Sequence, residues 1–455
     1  TNHVAVDHHG RALSNILSWL VTSLSLEMHQ LTIAPVRAVR GELTVPGDKS
    51  ISHRYVLLSA LAPGRSVIAH LCSGADVAAT VSCMRALGVD VVQEGSDQVA
   101  VTGRGYLGWT PSRAPLDAVN SGTTMRLLAG LLAAHPFRST LVGDPSLQRR
   151  PMGRVIDPLT AMGARVGSHD GRAPLTIDGG SLHGIRWTPP VPSAQIKSAI
   201  LLAGLHASGE TAVIEPAATR DHTERALPLF GLTCAVEGLE VRVAGGQRAT
   251  PARAVLRVPG DPSSAAVWAA AATAIPGSSV RIHGVALNRQ RLGFLAALTR
   301  LGAQVFVAQD SLEGAEPVGT ITVTYGDRQD AVIEAAEVPG LIDELPIIAA
   351  CAAAGRRLEV SGAAELRVKE SDRITALVTG LRALGVSADE RPDGFVIDGR
   401  ARAAGGRADA VGDHRLVMAF AIVGLGASGP TRIDSAESVA VSYPTFARDL
   451  RQLIA

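Results

Sequence analysis

One arrangement of polar and apolar positions recurs along the chain about every 70–80 residues. A turn rich in Pro, Gly or Ser opens an Ala/Leu-rich stretch that is apolar almost all round. That pattern predicts a buried helix rather than an amphipathic surface one. The six openings are "GDKSISHRYVLLSAL", "NSGTTMRLLAGLLA", "VPSAQIKSAILLAGL", "GDPSSAAVWAAAATA", "GLIDELPIIAACAAA" and "GDHRLVMAFAIVGL". β-branched runs such as "SVIAHL", "STLVGD", "TAVIEP", "SVRIHG" and "RLEVSG" follow them and read as strands. A second helix then closes on a shared phrase, as in "MRALGVDV", "LTAMGARV", "LTRLGAQV" and "LRALGVSA", whose Gly suits a helix C-cap. Partner strands follow in "VAVTGRG", "PLTIDGG" and "GFVIDGR", so each unit predicts helix–strand–helix–strand–strand, six times over.

Units of this size are too large for a solenoid. Three per lobe give two similar α/β lobes, with the Ala-rich helices inside and the sheets outside. The hexapeptides "VPGDKS" (45–50) and "VPGDPS" (258–263) are then equivalent first turns of the two lobes, and "VPGLID" from Val338 is a third echo.

Composition narrows the function. The chain has 455 residues, 46% of them hydrophobic and 19% charged, enough for two domains. Its 43 basic and 42 acidic residues give no general attraction to nucleic acid or to acidic membranes. Aromatic residues, at 3%, are too scarce for base-stacking platforms. Cys72, Cys83, Cys234 and Cys351 lie far apart without metal-ligand spacing and read as reduced, buried thiols. Residues 1–30 are different: a polar, His-rich start (His3, His8, His9) and an apolar, Ser-rich run too short to span a bilayer. They read as a leader outside the fold, with Met28 a plausible natural start. The segment lacks the pattern of a plastid transit peptide, which points to a bacterial cytoplasm.

The helix starts carry the candidate chemistry. Parallel helices in each lobe bring their N-termini to one face, and each end offers unpaired N–H groups and about half a positive charge. Several such ends aimed at one cleft make a receptor for phosphates and other anions. The starts hold Lys49, Ser50 and Arg54; Asn120, Ser121, Gly122, Thr123, Thr124 and Arg126; Ser193, Gln195 and Lys197; His414 and Arg415. Asp343–Glu344 read either as simple caps or, among these cations, as a general base. In "ELRVKESDR" (365–373), Lys369 and Arg373 are four apart and predicted to share a helix face beside Glu370. "LQRRPMGR" (147–154) and "TRDHTER" (219–225) are further basic clusters. Like-charged helix ends are expected to hold the lobes apart until anions bind.

Taken together, "PGDKSISHR", "NSGTTMR", "RRPMGR", "SAQIKSA", "RVKESDR", "DELPI" and "DHRLVMAFA" make residues 31–450 resemble the 5-enolpyruvylshikimate-3-phosphate (EPSP) synthase family. "GDKS", "SAQIK" and "RDHTE" resemble its glyphosate-insensitive (class II) branch. The resemblance implies a two-lobed inside-out α/β barrel of six βαβαββ repeats, three per lobe. It implies a first lobe at 47–257, a second at 31–46 plus 258–455, and hinges near 46–48 and 258–261.

The implied reaction moves the enolpyruvyl group of phosphoenolpyruvate to the 5-hydroxyl of shikimate 3-phosphate and releases phosphate. It needs no metal or organic cofactor, and the implied enzyme is a monomer. Carried over by motif, Asp343 is the base at the 5-hydroxyl, Glu370 the acid at the methylene carbon, and Lys49 contacts both substrates. Ser50, Arg54, Ser193, Ala194, Gln195, Arg220 and Lys369, with Lys49 and Asp343, hold shikimate 3-phosphate. Lys49, Gly122, Arg150, Gln195, Arg373 and Arg415 hold phosphoenolpyruvate. Glu370 needs a raised pKa to carry a proton, and the adjacent Lys369 opposes that.

Three features bear on glyphosate, the implied inhibitor. Val441 stands where the family commonly has a Lys that reaches phosphoenolpyruvate. Gly122 keeps the small residue beside which both phosphoenolpyruvate and glyphosate fit. Leu127 replaces the Pro of sensitive members, and the motifs lean toward tolerance. One rival is the related transferase acting on UDP-N-acetylglucosamine, which needs a catalytic Cys on a charged loop. Another is a non-catalytic phosphate-binding protein on the same fold.

Overall fold

A computed structural model describes residues 29–95 and 97–454. Residues 1–28 of the expected leader, with His3, His8 and His9, lie outside the described residues, while Gln30 already pairs with Asp434 in a strand.

Buried apolar side chains gather into two cores, one per lobe. The first surrounds α1 (Lys49–Leu61), α2 (Gly122–Leu132) and α3 (Ala194–Gly204). The second surrounds α4 (Pro262–Ala274), α5 (Leu345–Ala352) and α6 (His414–Gly426). All 13 residues of α4 are buried, which its Ala-rich sequence permits because small side chains let neighbouring helices approach from every side. A fully buried Trp268 on α4 donates its indole N–H to the Tyr443 hydroxyl at 2.7 Å, so the one large polar ring in that helix is satisfied.

Among the described residues six sheets surround the helices, five of four strands and one of three. In one, Leu116–Asp117 runs parallel to Arg138–Val142, which pairs antiparallel with Arg172–Asp178, which pairs antiparallel with Arg165–His169. The same order recurs in the other four-stranded sheets. Burial alternates along strands such as Arg172–Asp178, so one face meets a core and the other meets water.

Two short strands are exchanged between the lobes. Arg40–Thr44 precedes α1 but pairs in parallel with Ser279–Ala286, the strand after α4. Leu256–Arg257 precedes α4 but pairs in parallel with Pro63–Ala69, the strand after α1. The chain passes from one exchanged strand into each helix through the twin hexapeptides. These hexapeptides pair with each other: Asp48 N–H donates to Pro259 O at 2.7 Å, and Asp261 N–H donates to Pro46 O at 2.9 Å. The approach requires glycine, since a Cβ on Gly47 would stand 1.9 Å from the carbonyl oxygen of His70. No helix among the described residues is long and apolar enough to cross a membrane.

Candidate active site

The starts of all six central helices line one cleft between the lobes, through Lys49 and Ser50, Gly122 and Thr123, Ser193 and Gln195, Ser263, Asp343, and His414 with Arg415. Side-chain oxygens cap five of them: Asp48 accepts from Ile51 N–H (2.8 Å), Ser121 from Thr124 N–H (3.1 Å), Ser193 from Ile196 N–H (3.4 Å), Asp261 from Ser263 N–H (2.8 Å) and Asp413 from Arg415 N–H (3.0 Å). The cleft lining holds eight Lys or Arg side chains against five carboxylates. That excess of positive charge, with the helix ends behind it, suits ligands carrying several negative charges.

Eleven of the residues carried over by motif line the cleft: Lys49, Ser50, Gly122, Arg150, Ser193, Gln195, Arg220, Asp343, Lys369, Glu370 and Arg415. Arg54, Ala194 and Arg373 lie behind its wall. Arg54 is buried and spends its donors on Ser50 O (2.8 Å), Thr223 Oγ1 (2.7 Å) and Ser198 Oγ (2.7 Å). Burial pushes its guanidinium down to about 10. Arg373 donates to Asp413 at 2.7 Å and to Glu370, and its buried Nη1 lies 3.6 Å from Asp343.

The two candidate catalytic carboxylates sit inside cation shells. Asp343 has Arg220 at 2.5 Å, Lys369 at 3.5 Å, Arg373 at 3.6 Å and Arg415 at 3.9 Å. Burial acts to raise its pKa, but Lys369, Arg220, Arg415 and Arg373 outweigh it and hold the carboxyl well below the usual range. Glu370 contacts Arg373 and lies 3.6 Å from Arg150. Burial opposes its charge too, and Arg373, Arg150 and Lys369 outweigh it, so this carboxyl is also held well below the usual range. Lys49 reaches Asp76 at 2.8 Å; burial works against its charge, and Asp76 more than restores it. Arg126 donates to Gln195 Oε1 at 2.7 Å, and Gln195 donates onward to Thr123 Oγ1 at 2.9 Å.

Several expectations are corrected. Lys369 and Arg373 do not share a helix face: a 3-10 turn ends at Val368, Asp372 caps a new helix at Arg373, and the two cations meet on Asp343 through the turn between. Asp343 and Glu344 make no cap hydrogen bond; Asp343 faces the cleft, and the buried Glu344 accepts from Ser263. Lys197 turns away to Glu215 (2.8 Å) and Glu224 (2.6 Å). The lobes touch across the cleft through Arg220–Asp343, through Arg154–Glu365 (two bonds of 2.8 Å) and through Ser146 Oγ donating to Glu370 O at 2.8 Å. Carboxylates pair with some of the cations there and offset part of their mutual repulsion. Sequence reasoning missed Asp76 and Arg291; both line the cleft, and neither sits in a run that sets it apart.

A family model described as EPSP synthase (3-phosphoshikimate 1-carboxyvinyltransferase) matches residues 33–450. The chain belongs to the EPSP synthase family. A 3-phosphoshikimate 1-carboxyvinyltransferase of Acidithiobacillus ferrooxidans is 48% identical over 421 residues, covering 92% of this chain and 96% of the relative. One of Geobacillus kaustophilus is 47% identical over 424 residues, covering 92% and 99%. The solved EPSP synthase of Acinetobacter baumannii superposes with a TM-score of 0.82 at 39% identity, covering 93% of this chain and 98% of that one. Val441 is absent from the cleft lining, and its carbonyl packs against Gly74. Arg126, Arg154 and Arg291 are the cations of the cleft lining outside the set carried over by motif. Burial, then Lys49 and Arg415, pushes His414 well below the usual imidazole range, so it enters neutral and its buried Nε2 has no hydrogen-bond partner among the described residues.

Proposed function

We propose that the chain transfers the enolpyruvyl group of phosphoenolpyruvate to the 5-hydroxyl of shikimate 3-phosphate and releases phosphate, on the path to chorismate. The observation that carries this reading is the convergence of six helix starts, Lys49, Arg150, Arg415, Asp343 and Glu370 on one cleft. Family membership supplies the reaction; the cleft supplies groups able to perform it.

In this reading Lys49, Ser50, Ser193, the Ala194 backbone, Gln195, Arg220 and Lys369 hold shikimate 3-phosphate, with Arg54 fixing Ser50 from behind. Lys49, Gly122, Arg150, Gln195 and Arg415 hold phosphoenolpyruvate, with Arg373 supporting from the wall. Asp343 takes the proton of the 5-hydroxyl as its oxygen bonds to C2, and Glu370 gives a proton to C3. The tetrahedral adduct then loses phosphate from C2 as Glu370, now a carboxylate, takes a proton back from the new methyl group and the C2–C3 double bond re-forms. The difficulty is Glu370, which Arg373 and Arg150 hold ionised. Anionic substrates answer it. A phosphate and a carboxylate that engage these guanidinium groups compete with Glu370 for them, and its pKa rises on binding. We assign the reaction no metal or organic cofactor.

We further divide the chain into lobes at 47–257 and at 29–46 plus 258–455, hinged at the twin hexapeptides, with residues 1–28 as a leader. We read the enzyme as a monomer of the bacterial cytoplasm, in keeping with its bacterial relatives. Its place in the glyphosate-insensitive branch rests on the "GDKS", "SAQIK" and "RDHTE" motifs.

The experiment is phosphate release from phosphoenolpyruvate with shikimate 3-phosphate or UDP-N-acetylglucosamine as acceptor, with a glyphosate titration alongside. Release with shikimate 3-phosphate alone is expected. Release only with the sugar nucleotide would support the rival transferase, though none of the four cysteines lines the cleft.

A further inference from the structure

Arg291 is buried and lies on a 3-10 turn of the second lobe, Arg289–Arg291, preceded by Asn288. Its Nη1 donates to Asp48 Oδ2 at 2.9 Å, and its Nη2 donates to Asp261 Oδ1 at 3.1 Å and to Ser263 Oγ at 2.9 Å. Asp48 and Asp261 are the equivalent residues of the twin hexapeptides, each capping the helix that follows. One guanidinium therefore holds both hinge turns at once. Asp48 precedes Lys49, and Ser263 also meets Arg415 (3.4 Å) and Glu344. Three residues earlier, Asn288 Nδ2 donates to Asp221 Oδ1 at 2.6 Å, next to Arg220. A single turn of the second lobe thus grips the residues beside Lys49 and beside Arg220, two of the cations that the first lobe presents to the cleft.

We propose that Arg291 is a positioning residue of the hinge: its fork fixes the spacing of the two twin turns, and through them the placement of Lys49 against Arg415 and Asp343. The proposal rests on the enolpyruvyl-transfer reading for its activity readout. The planar fork matters because a point charge neutralises two carboxylates without setting the distance between them.

Two effects of losing Arg291 must be separated. Removal leaves Asp48 and Asp261 buried without their shared cation, which destabilises the fold whatever the catalytic role. Asn caps a helix as well as Asp does. The test therefore compares wild type, Arg291→Lys, Arg291→Met and the triple variant Arg291→Met/Asp48→Asn/Asp261→Asn. Tm is measured for each, with kcat and KM for both substrates. Arg291→Met is expected to lose stability and activity together. The triple variant is expected to recover most of the Tm yet keep kcat/KM for shikimate 3-phosphate depressed by about tenfold or more, as misplaced reacting groups do. Arg291→Lys is expected to stay folded with a similar loss. Recovery of kcat/KM along with Tm in the triple variant, or near wild-type kinetics in Arg291→Lys, would overturn the proposal. Absence of turnover in wild type would strike the reaction reading instead. Hydrogen exchange at the Asp48 and Asp261 amides then decides the hinge claim without substrate: faster exchange in Arg291→Lys than in wild type supports it, and unchanged exchange rejects it.

Discussion

The Arg220 guanidinium of the first lobe lies 2.5 Å from the Asp343 carboxylate of the second, and the contact spans the cleft. The candidate base and a candidate substrate-binding cation thus pair with each other across the cleft. Asp343→Asn keeps the size and removes the charge. We expect kcat to fall by about 10²- to 10⁴-fold, as for loss of a general base. Binding of shikimate 3-phosphate, followed by calorimetry, should weaken far less, because Arg220 and Lys369 are freed to meet the anion. A kcat within threefold of wild type would remove Asp343 from the role of base.

Glu370→Gln is expected to bind both substrates and lose most turnover. In wild type, kcat should decline on the alkaline side as the Glu370 carboxyl of the complex gives up its proton, and the residual kcat of the variant should lack that limb. Deuterium uptake at C3 in heavy water offers a second check. A variant that still exchanges deuterium into the methylene carbon at the wild-type rate would place the proton donor elsewhere.

Gly122→Ala adds a Cβ that would stand 2.6 Å from Arg126 Nη1 and 3.3 Å from Arg150 Nη1. Both atoms are side-chain tips, so they shift rather than block folding. Overpacking of this kind costs about 1 kcal/mol or more, roughly a fivefold rise in KM for phosphoenolpyruvate. The longer glyphosate should lose more affinity than phosphoenolpyruvate does, which parallel inhibition curves will measure.

Acid sensitivity should come from outside the cleft as well as from within it. His206 stacks on Tyr106 with ring centroids 3.8 Å apart, and neither ring nitrogen has a hydrogen-bond partner among the described residues. Burial, then His135 and Arg248, pushes its pKa down to about 3. The unfolded chain protonates this residue near pH 6.5 and the folded one does not. Its contribution is therefore complete above that pH and is lost as pH falls toward 3. The lowered carboxyls of Asp343 and Glu370 lose theirs only below about pH 4, where the unfolded chain begins to take up protons. His206→Phe should raise stability at pH 5, relative to pH 8, by about 1 kcal/mol after allowance for partial exposure. Denaturant melts at the two pH values would detect it, and an equal change at both would refute it.

Much of this was legible before any coordinates. The six Ala/Leu-rich openings mark the buried helices because burial all round leaves no polar stripe to hide them. Cations on helix first turns mark the cleft because they oppose the local dipole and need another reason to be there. Lys197 follows the same local pattern and turns inward, since Glu215 and Glu224 come from distant segments. Asp76 and Arg291 were invisible for the same reason: their partners lie 27 and 243 residues away. The paired breaks at Lys369 and Asp372 were missed because one capping carboxylate decides where a helix begins, against a charge spacing that suits a continuous one.

The exchanged strands also set a timetable for the chain as it leaves the ribosome. Arg40–Thr44 emerges early, but its partner Ser279–Ala286 follows about 240 residues later, and Gln30 meets Asp434 only after 404. The first lobe can finish its sheets once Leu256–Arg257 appears, while the second cannot close until almost everything has been made. At ordinary elongation rates the earliest strand waits roughly 20–80 s with its edges unpaired. The strands that wait longest, Gln30–Ile33 and Arg40–Thr44, carry none of the cleft chemistry.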